Sequence, residues 1–177
     1  MFRLTEREMA TAFRLDPVSL IQQTDWARVA LFARNYEQAA ARFAKVLETD
    51  PHFVRALDTL VCMNIVRGAF GQAKEGVARL LLLYPDRSST NPVYDVLIGA
   101  GEGRLQDTER SLTVLEGPRS VAKIDDMVLA HLLAWSGHKA RAIDLVEKVY
   151  RNHEQPGVIG LGTDGRWDRL RSEPRFQ

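Results

Sequence analysis

The sequence has very little cysteine, no long apolar run and almost no excess charge. Cys62 is the single cysteine among 177 residues, so an intrachain disulfide is excluded and the cytoplasm is the expected compartment. The clearest apolar stretches, residues 80–84 and 127–135, are far shorter than the roughly 18 residues of a membrane-spanning helix, so no membrane segment is predicted. With 24 Lys and Arg against 23 Asp and Glu, no direct nucleic-acid binding is expected.

What the sequence does contain is an internal repeat. Segments that end in proline recur 34 residues apart, at Pro17, Pro51 and Pro85. Three further sets keep nearly the same spacing: a small position (Ala39, Ala73, Thr108, Ala142), an apolar position (Phe43, Val77, Leu112, Val146) and a turn position (Arg34, Gly68, Gly103, Gly137). A period of this length is typical of stacked supersecondary units that share a continuous core.

Each repeat divides into two helical patterns. Over residues 36–47 the apolar and small residues fall at the spacing of one helix face, and residues 142–150 repeat the pattern. The residue before a proline is pushed away from helical backbone angles, which predicts that a helix ends at each Asp-Pro or Tyr-Pro step. No stretch sustains the alternation of apolar and polar residues that a strand requires. We therefore expect an all-α fold of about nine helices.

These features resemble the tetratricopeptide repeat (TPR) family. The resemblance rests on the 34-residue period, the alanine positions, the bulky Tyr36 and Phe70 after the turn, and the Asp-Pro steps at Pro17 and Pro51. It implies a right-handed α-solenoid in a single domain over residues 1–177. The implied parts are a half repeat (2–17), four repeats (18–51, 52–85, 88–118 and 121–152) and a carboxyl-terminal tail (153–177).

The tail carries a second, narrower resemblance. Its ending over residues 167–177, WDRLRSEPRFQ, is similar to the closing motif of repeat segments appended to bacterial winged-helix transcription regulators, adenylate cyclases and serine/threonine kinases. Such segments are sensing or interaction modules. This resemblance implies an alternative function, in which the chain is the regulatory segment of a bacterial transcription regulator or signalling enzyme.

The implied fold offers a concave groove lined by the first helix of each pair, and a protein or peptide partner is expected there. Helical spacing predicts the groove lining: Thr24, Arg28, Phe32, Arg55, Asp58, Thr59, Cys62, Val66, Tyr94, Met127, His131 and Trp135. Arg28 and Arg55 are expected to pair with a ligand carboxylate through their fixed forks of donors. The expected function is a non-enzymatic protein–protein interaction module. Self-association through the half repeat, which lacks a partner helix, stays open.

No pattern in the sequence indicates catalysis, a cofactor or a metal site. The glycine run over residues 157–165 has no lysine after a glycine and no preceding strand, so a nucleotide-binding loop is not predicted. The histidines lie in different repeats without paired ligand spacing: His52, His131, His138 and His153. Cys62 and His131 are expected to lie two repeats apart, too far for a nucleophile and its base.

Overall fold

The computed structural model describes residues 2–16, 18–86, 91–117, 124–152 and 160–177. Within these ranges the chain is helical and no strand is present, which confirms the predicted all-α class for the described residues. The α-helices are α1 (Phe2–Leu15), α2 (Leu20–Phe32), α3 (Tyr36–Thr49), α4 (Val54–Val66), α5 (Phe70–Leu83), α6 (Asn91–Gly101), α7 (Leu105–Glu116), α8 (Asp126–Trp135) and α9 (Lys139–Asn152). Two 3₁₀-helices follow, Gly165–Leu170 and Pro174–Phe176. Pro17, His153 and the start of the glycine run (157–159) lie outside the described residues.

Backbone contacts divide the chain into two compact units, Met1–Pro85 and Asp86–Gln177. The amino-terminal unit contains α1 to α5, and the carboxyl-terminal unit contains α6 to α9 and the carboxyl-terminal segment, residues 160–177. Within the units the closest packing joins helices that are neighbours in the chain: α2 with α3, α4 with α5, α6 with α7, and α8 with α9. None of the described helices is both long and apolar enough to cross a bilayer.

The same turn joins the two helices of every pair. Its middle residue has a positive φ, of 64° at Arg34, 78° at Gly68, 76° at Gly103 and 93° at Gly137. The next amide donates to a carbonyl in the last turn of the first helix, with N···O distances of 2.9 Å at Asn35 and 2.8 Å at Ala69, Arg104 and His138. This Schellman closure satisfies helix-end carbonyls, and glycine favours it because no Cβ opposes the left-handed backbone. The predicted turn position is confirmed in all four pairs.

The interior of each pair is built from the predicted repeat positions. The small position is buried in every pair: Ala39, Ala73, Thr108 and Ala142. The apolar position one turn later is also buried: Phe43, Val77, Leu112 and Val146. Small side chains let two helices approach closely, and the larger residues fill the adjoining space. Both sets are therefore confirmed as core positions.

In the third pair, a glycine on α6 accommodates the larger side chain on α7. A Cβ added to Gly99 would lie 2.7 Å from Thr108 Oγ1, which is closer than unbonded atoms tolerate. Thr108 Oγ1 also donates a hydrogen bond of 2.9 Å to the Arg104 carbonyl, which holds the hydroxyl in place. The corresponding residues of the first pair are Ala30 and Ala39, both fully buried. Gly99 and Thr108 thus replace two alanines with one smaller and one larger residue.

We expect Gly99→Ala to lower the free energy of unfolding of the carboxyl-terminal unit by about 1 to 3 kcal/mol, the usual cost of overpacking, although alanine favours helix. Adding Thr108→Ala is expected to recover most of this loss, because the pair then matches Ala30 and Ala39. Urea unfolding of the single and double variants gives the coupling energy. Thr113→Ala, an exposed change on the same helix, should give no recovery. Additive effects of Gly99→Ala and Thr108→Ala would contradict the contact.

Candidate functional site

Most predicted groove residues of α2 and α4 lie at the surface of the amino-terminal unit. They form what we call the α2–α4 face, in which Arg55 is exposed and the other residues are partly buried: Arg28, Phe32, Arg55, Asp58, Thr59, Cys62 and Val66. Helices α2 and α4 contact each other directly, so residues of two consecutive pairs are brought together. Thr59 Oγ1 donates to the Arg55 carbonyl at 2.7 Å, so this hydroxyl is bound to its own helix.

Two arginines on the α2–α4 face share one carboxylate oxygen. Arg55 Nη2 lies 2.7 Å and Arg28 Nη1 lies 3.1 Å from Asp25 Oδ1. The Arg28 guanidinium also lies over the Phe32 ring, 5.5 Å from its centroid. The three charged side chains are about 36% to 46% exposed, so solvent screens the ion pairs and leaves them accessible to a ligand. Asp25 was not predicted, although its three-residue spacing from Arg28 was a sequence signal for the pair.

Five predicted groove residues are buried in the structure and do not lie at an accessible surface: Thr24, Tyr94, Met127, His131 and Trp135. Thr24 is fully buried, and its Oγ1 donates to the Leu20 carbonyl at 2.7 Å. Tyr94 lies in α6, which is apolar on nearly every side and is largely buried. Met127 lies in α8, which is packed against α6, α9 and the Gly165–Leu170 helix. Helical spacing identifies one side of a helix, but it does not show what covers that side.

The carboxyl-terminal segment covers His131 and Trp135. The Trp167 ring packs on the His131 ring with centroids 3.6 Å apart. Trp135 Nε1 donates to the Arg166 carbonyl at 3.1 Å, and Arg169 Nη1 donates to the Trp135 carbonyl at 2.9 Å. The Arg169 guanidinium also lies 4.3 Å from the Trp135 ring centroid, a cation–π contact. These predicted groove residues therefore bind the chain's own end.

Ion pairs surround this contact. Lys139 Nζ lies 2.8 Å from Glu173 Oε1, and Arg175 Nη2 lies 2.9 Å from both Asp144 Oδ1 and Glu147 Oε1. The pairs are partly exposed and contribute little to stability individually. They pair two charged residues of the segment, Glu173 and Arg175, with opposite charges on α9.

The buried groups beneath the segment have shifted pKa values. Burial, reinforced by the nearby Arg166 guanidinium, lowers the pKa of His131 from 6.5 to about 3, while Asp164 and a hydrogen bond to the Met127 backbone act in the opposite direction. His131 Nε2 is buried without a hydrogen-bond partner. Burial raises the pKa of Asp164, but hydrogen bonds from Arg166 and its charge outweigh that effect and hold this pKa below its ordinary value. The imidazole is consequently neutral, and the carboxylate is charged, at neutral pH.

The other side of α4 faces a groove that the sequence did not indicate. This groove has a volume of about 610 Å³ and lies between α3, α4 and α5 of the amino-terminal unit. Its α4 lining includes Leu57, Leu60 and Val61, whereas the α2–α4 face uses the opposite side of the same helix. Much of the surface in this groove is apolar.

The repeat explains why this groove is open. The repeat positions of Leu60 and Gly76 are occupied in the first pair by Trp26 and Arg42. The Arg42 guanidinium lies 4.2 Å from the Trp26 ring centroid, and its Nη1 donates to the Trp26 carbonyl at 2.8 Å. A Cβ added to Gly76 would lie 2.5 Å from Val61 Cγ2, so the glycine also lets α5 approach α4 closely. Two large side chains in one repeat are thus replaced by two smaller ones in the next.

No protein-family model, curated protein or solved structure matches this chain. Its function is therefore inferred from its own residues and their geometry.

Proposed function

We propose that this chain is a TPR-type α-solenoid that binds a protein or peptide on its α2–α4 face without catalysing a reaction. The ligand class is a polypeptide that combines carboxylate groups with apolar side chains. Arg28 and Arg55 would pair with the carboxylates, and Phe32 and Val66 would contact the apolar side chains.

The repeat architecture is supported by the recurrence of one turn. Positive φ values occur at Arg34, Gly68, Gly103 and Gly137, which are spaced by 34, 35 and 34 residues. Buried small residues follow each turn at the same offset, on the second helix of every pair. The joint recurrence of turn and core position at this spacing supports a TPR array.

The binding proposal depends on the Arg28–Asp25–Arg55 cluster. Because both guanidinium groups approach the same Asp25 oxygen, a ligand carboxylate can replace Asp25 as the partner of one arginine while Asp25 keeps the other. Neither arginine is then left without an anion, and Asp25 stays neutralised. Guanidinium groups bind carboxylates with two parallel hydrogen bonds where geometry permits, which gives both affinity and orientation.

The proposal is tested by selecting a random peptide library on the whole chain. We expect enrichment of peptides that contain Asp or Glu beside aromatic or aliphatic residues. Affinity for a selected peptide should fall about 10- to 100-fold in Arg55→Glu, because a charge-assisted hydrogen bond contributes about 1.5 to 3 kcal/mol and the reversed charge adds repulsion. Phe32→Glu should also weaken binding, as measured by fluorescence anisotropy.

Arg14→Glu is the matched control, since Arg14 is an exposed arginine of α1 in the same unit. It should leave affinity within about twofold, because it lies outside the α2–α4 face. Selected peptides whose affinity is unchanged in both Arg55→Glu and Phe32→Glu would exclude the α2–α4 face as the binding surface.

A further inference from the structure

The carboxyl-terminal segment contacts α8 and α9 as a bound peptide would. We define the α8–α9 face by His131, Trp135, Lys139, Asp144 and Glu147, the residues that contact the segment. We propose that this face is a peptide-binding site, and that residues 164–176 from a second copy of the chain can occupy it in place of the chain's own segment.

The centre of the contact is anchored by two buried side chains three residues apart. Trp167 is 1% exposed and Leu170 is fully buried. Trp167 packs on His131. Trp135 Nε1 donates to the Arg166 carbonyl, and the Arg169 guanidinium donates to the Trp135 carbonyl. A buried aromatic anchor beside an aliphatic one, enclosed by polar contacts, is the usual arrangement at the centre of a protein–peptide interface.

The rim of the contact selects charge at two positions of the peptide. Lys139 binds the Glu173 carboxylate. Asp144 and Glu147 together bind the Arg175 guanidinium. The face therefore fits a polypeptide with an aromatic residue, an aliphatic residue three positions later, an acid six positions later and an arginine eight positions later. Every copy of this chain carries that pattern in its own residues 167–175.

Within the segment the charged side chains bind near neighbours, such as Arg166 with Asp164 and Arg171 with Asp168. The regular elements of the segment are the 3₁₀-helices Gly165–Leu170 and Pro174–Phe176, and such short 3₁₀-helices have weak stabilising hydrogen bonds of their own. A segment from another copy would make the same contacts, so the two arrangements differ mainly in effective concentration. A short tether supplies roughly millimolar effective concentration, which favours the chain's own segment unless that segment is disabled.

The test uses a fluorescently labelled peptide of residues 160–177 and two full-length proteins. In the segment-deficient variant, Trp167→Ser with Leu170→Ser, the face is left open. We expect this variant to bind the peptide at least about tenfold more tightly than the wild-type chain, in which the tethered segment competes. A peptide carrying the same two serines should bind neither protein. If the segment-deficient variant is helical by circular dichroism but does not bind the wild-type peptide, the proposal is overturned.

A second measurement applies if the segment-deficient variant does not fold. A protease site placed between residues 153 and 160 is cut after the wild-type chain has folded, and the labelled peptide is added in excess. We expect the cut segment to exchange with the peptide while the rest of the chain keeps its helical signal. Loss of that signal on release, or failure to exchange, would identify the segment as a permanent part of the fold and overturn the proposal.

The assignment to a second copy is tested with two full-length chains. A face-deficient variant, Lys139→Glu with Asp144→Lys and Glu147→Lys, keeps its segment but reverses the rim charges. Mixed with the segment-deficient variant, it is expected to form a one-to-one complex by light scattering, whereas each variant alone stays monomeric. Peptide binding without this complex would overturn the second-copy assignment. None of these changes touches the α2–α4 face, so failure here is distinguishable from failure of the proposed function.

Discussion

Replacing Trp167 with alanine is expected to lower the free energy of unfolding of the carboxyl-terminal unit by about 3 to 5 kcal/mol. Trp167 is 1% exposed, and its ring packs between His131, at 3.6 Å, and Phe176, at 6.0 Å between centroids. Alanine would leave a cavity too large for the neighbours to fill. In molecules that release the weakened segment, Trp135 would become exposed. The loss is limited by the total free energy with which the segment binds α8 and α9.

Two readouts separate the local effect from general unfolding. Urea titration followed by circular dichroism gives the stability. Indole fluorescence reports the segment when Trp26 is also replaced by phenylalanine, because Trp135 is then the one tryptophan left in Trp167→Ala and water contact shifts its emission to longer wavelength. Tyr150→Ala is the matched control: Tyr150 is an aromatic residue of α9 that is 65% exposed, and its loss should cost less than about 0.5 kcal/mol. An unchanged urea midpoint in Trp167→Ala would contradict the contacts described for the segment.

The sequence was sufficient for the local structure because that structure repeats. Gly68, Gly103 and Gly137 could be assigned to turns from spacing alone, and the same spacing assigned Arg34, a residue that propensity would not place at a positive φ. The buried positions followed from the same register, because a helix pair must bury the same face each time it recurs. Gly99 and Thr108 both differ from the alanines of the first pair, and only the structure shows that they compensate for each other.

The proximity of candidate site residues was predictable where helices of consecutive pairs meet, but not where distant segments meet. Arg28 and Arg55 lie on adjacent first helices, so their shared register places them together at Asp25. His131 and Trp135 have the same register, yet a segment more than 30 residues further along the chain covers them. Helical periodicity contains no information on such a contact, because the segment has no repeat of its own.

The terminal motif nevertheless contained a signal for that contact. Trp167 and Leu170 are apolar residues three positions apart in an ending rich in charged residues, and both are fully or almost fully buried. A large aromatic residue in a polar segment must either be exposed at a cost or find an apolar partner. That reasoning indicates a covered surface, but it does not identify which helix provides it.

Acidification is expected to weaken the carboxyl-terminal unit between about pH 6.5 and pH 4.5, through His131. Its pKa falls from 6.5 to about 3 in the folded chain, because burial and then Arg166 disfavour the imidazolium, while Asp164 and the Met127 backbone favour it. Below pH 6.5 the unfolded chain therefore binds a proton that the folded chain does not, so stability is complete above that pH and decreases as the pH falls. At about pH 5 the loss should be roughly 2 kcal/mol, since each pKa unit corresponds to about 1.4 kcal/mol.

In this pH window the effect of His131 protonation on stability is separate from that of Asp164 protonation. The pKa of Asp164 lies below its ordinary value of 3.8, so its contribution is retained above about pH 4.5 and is lost only in stronger acid. His131→Phe keeps an aromatic ring against Trp167 but has no titrating group, so its urea midpoint should be nearly constant from pH 6.5 to pH 4.5 apart from the slope of the exposed groups. His52→Gln, at an exposed histidine of the amino-terminal unit, should retain the wild-type slope. If His131→Phe retains that slope as well, the acid sensitivity arises elsewhere and the buried neutral imidazole does not control it.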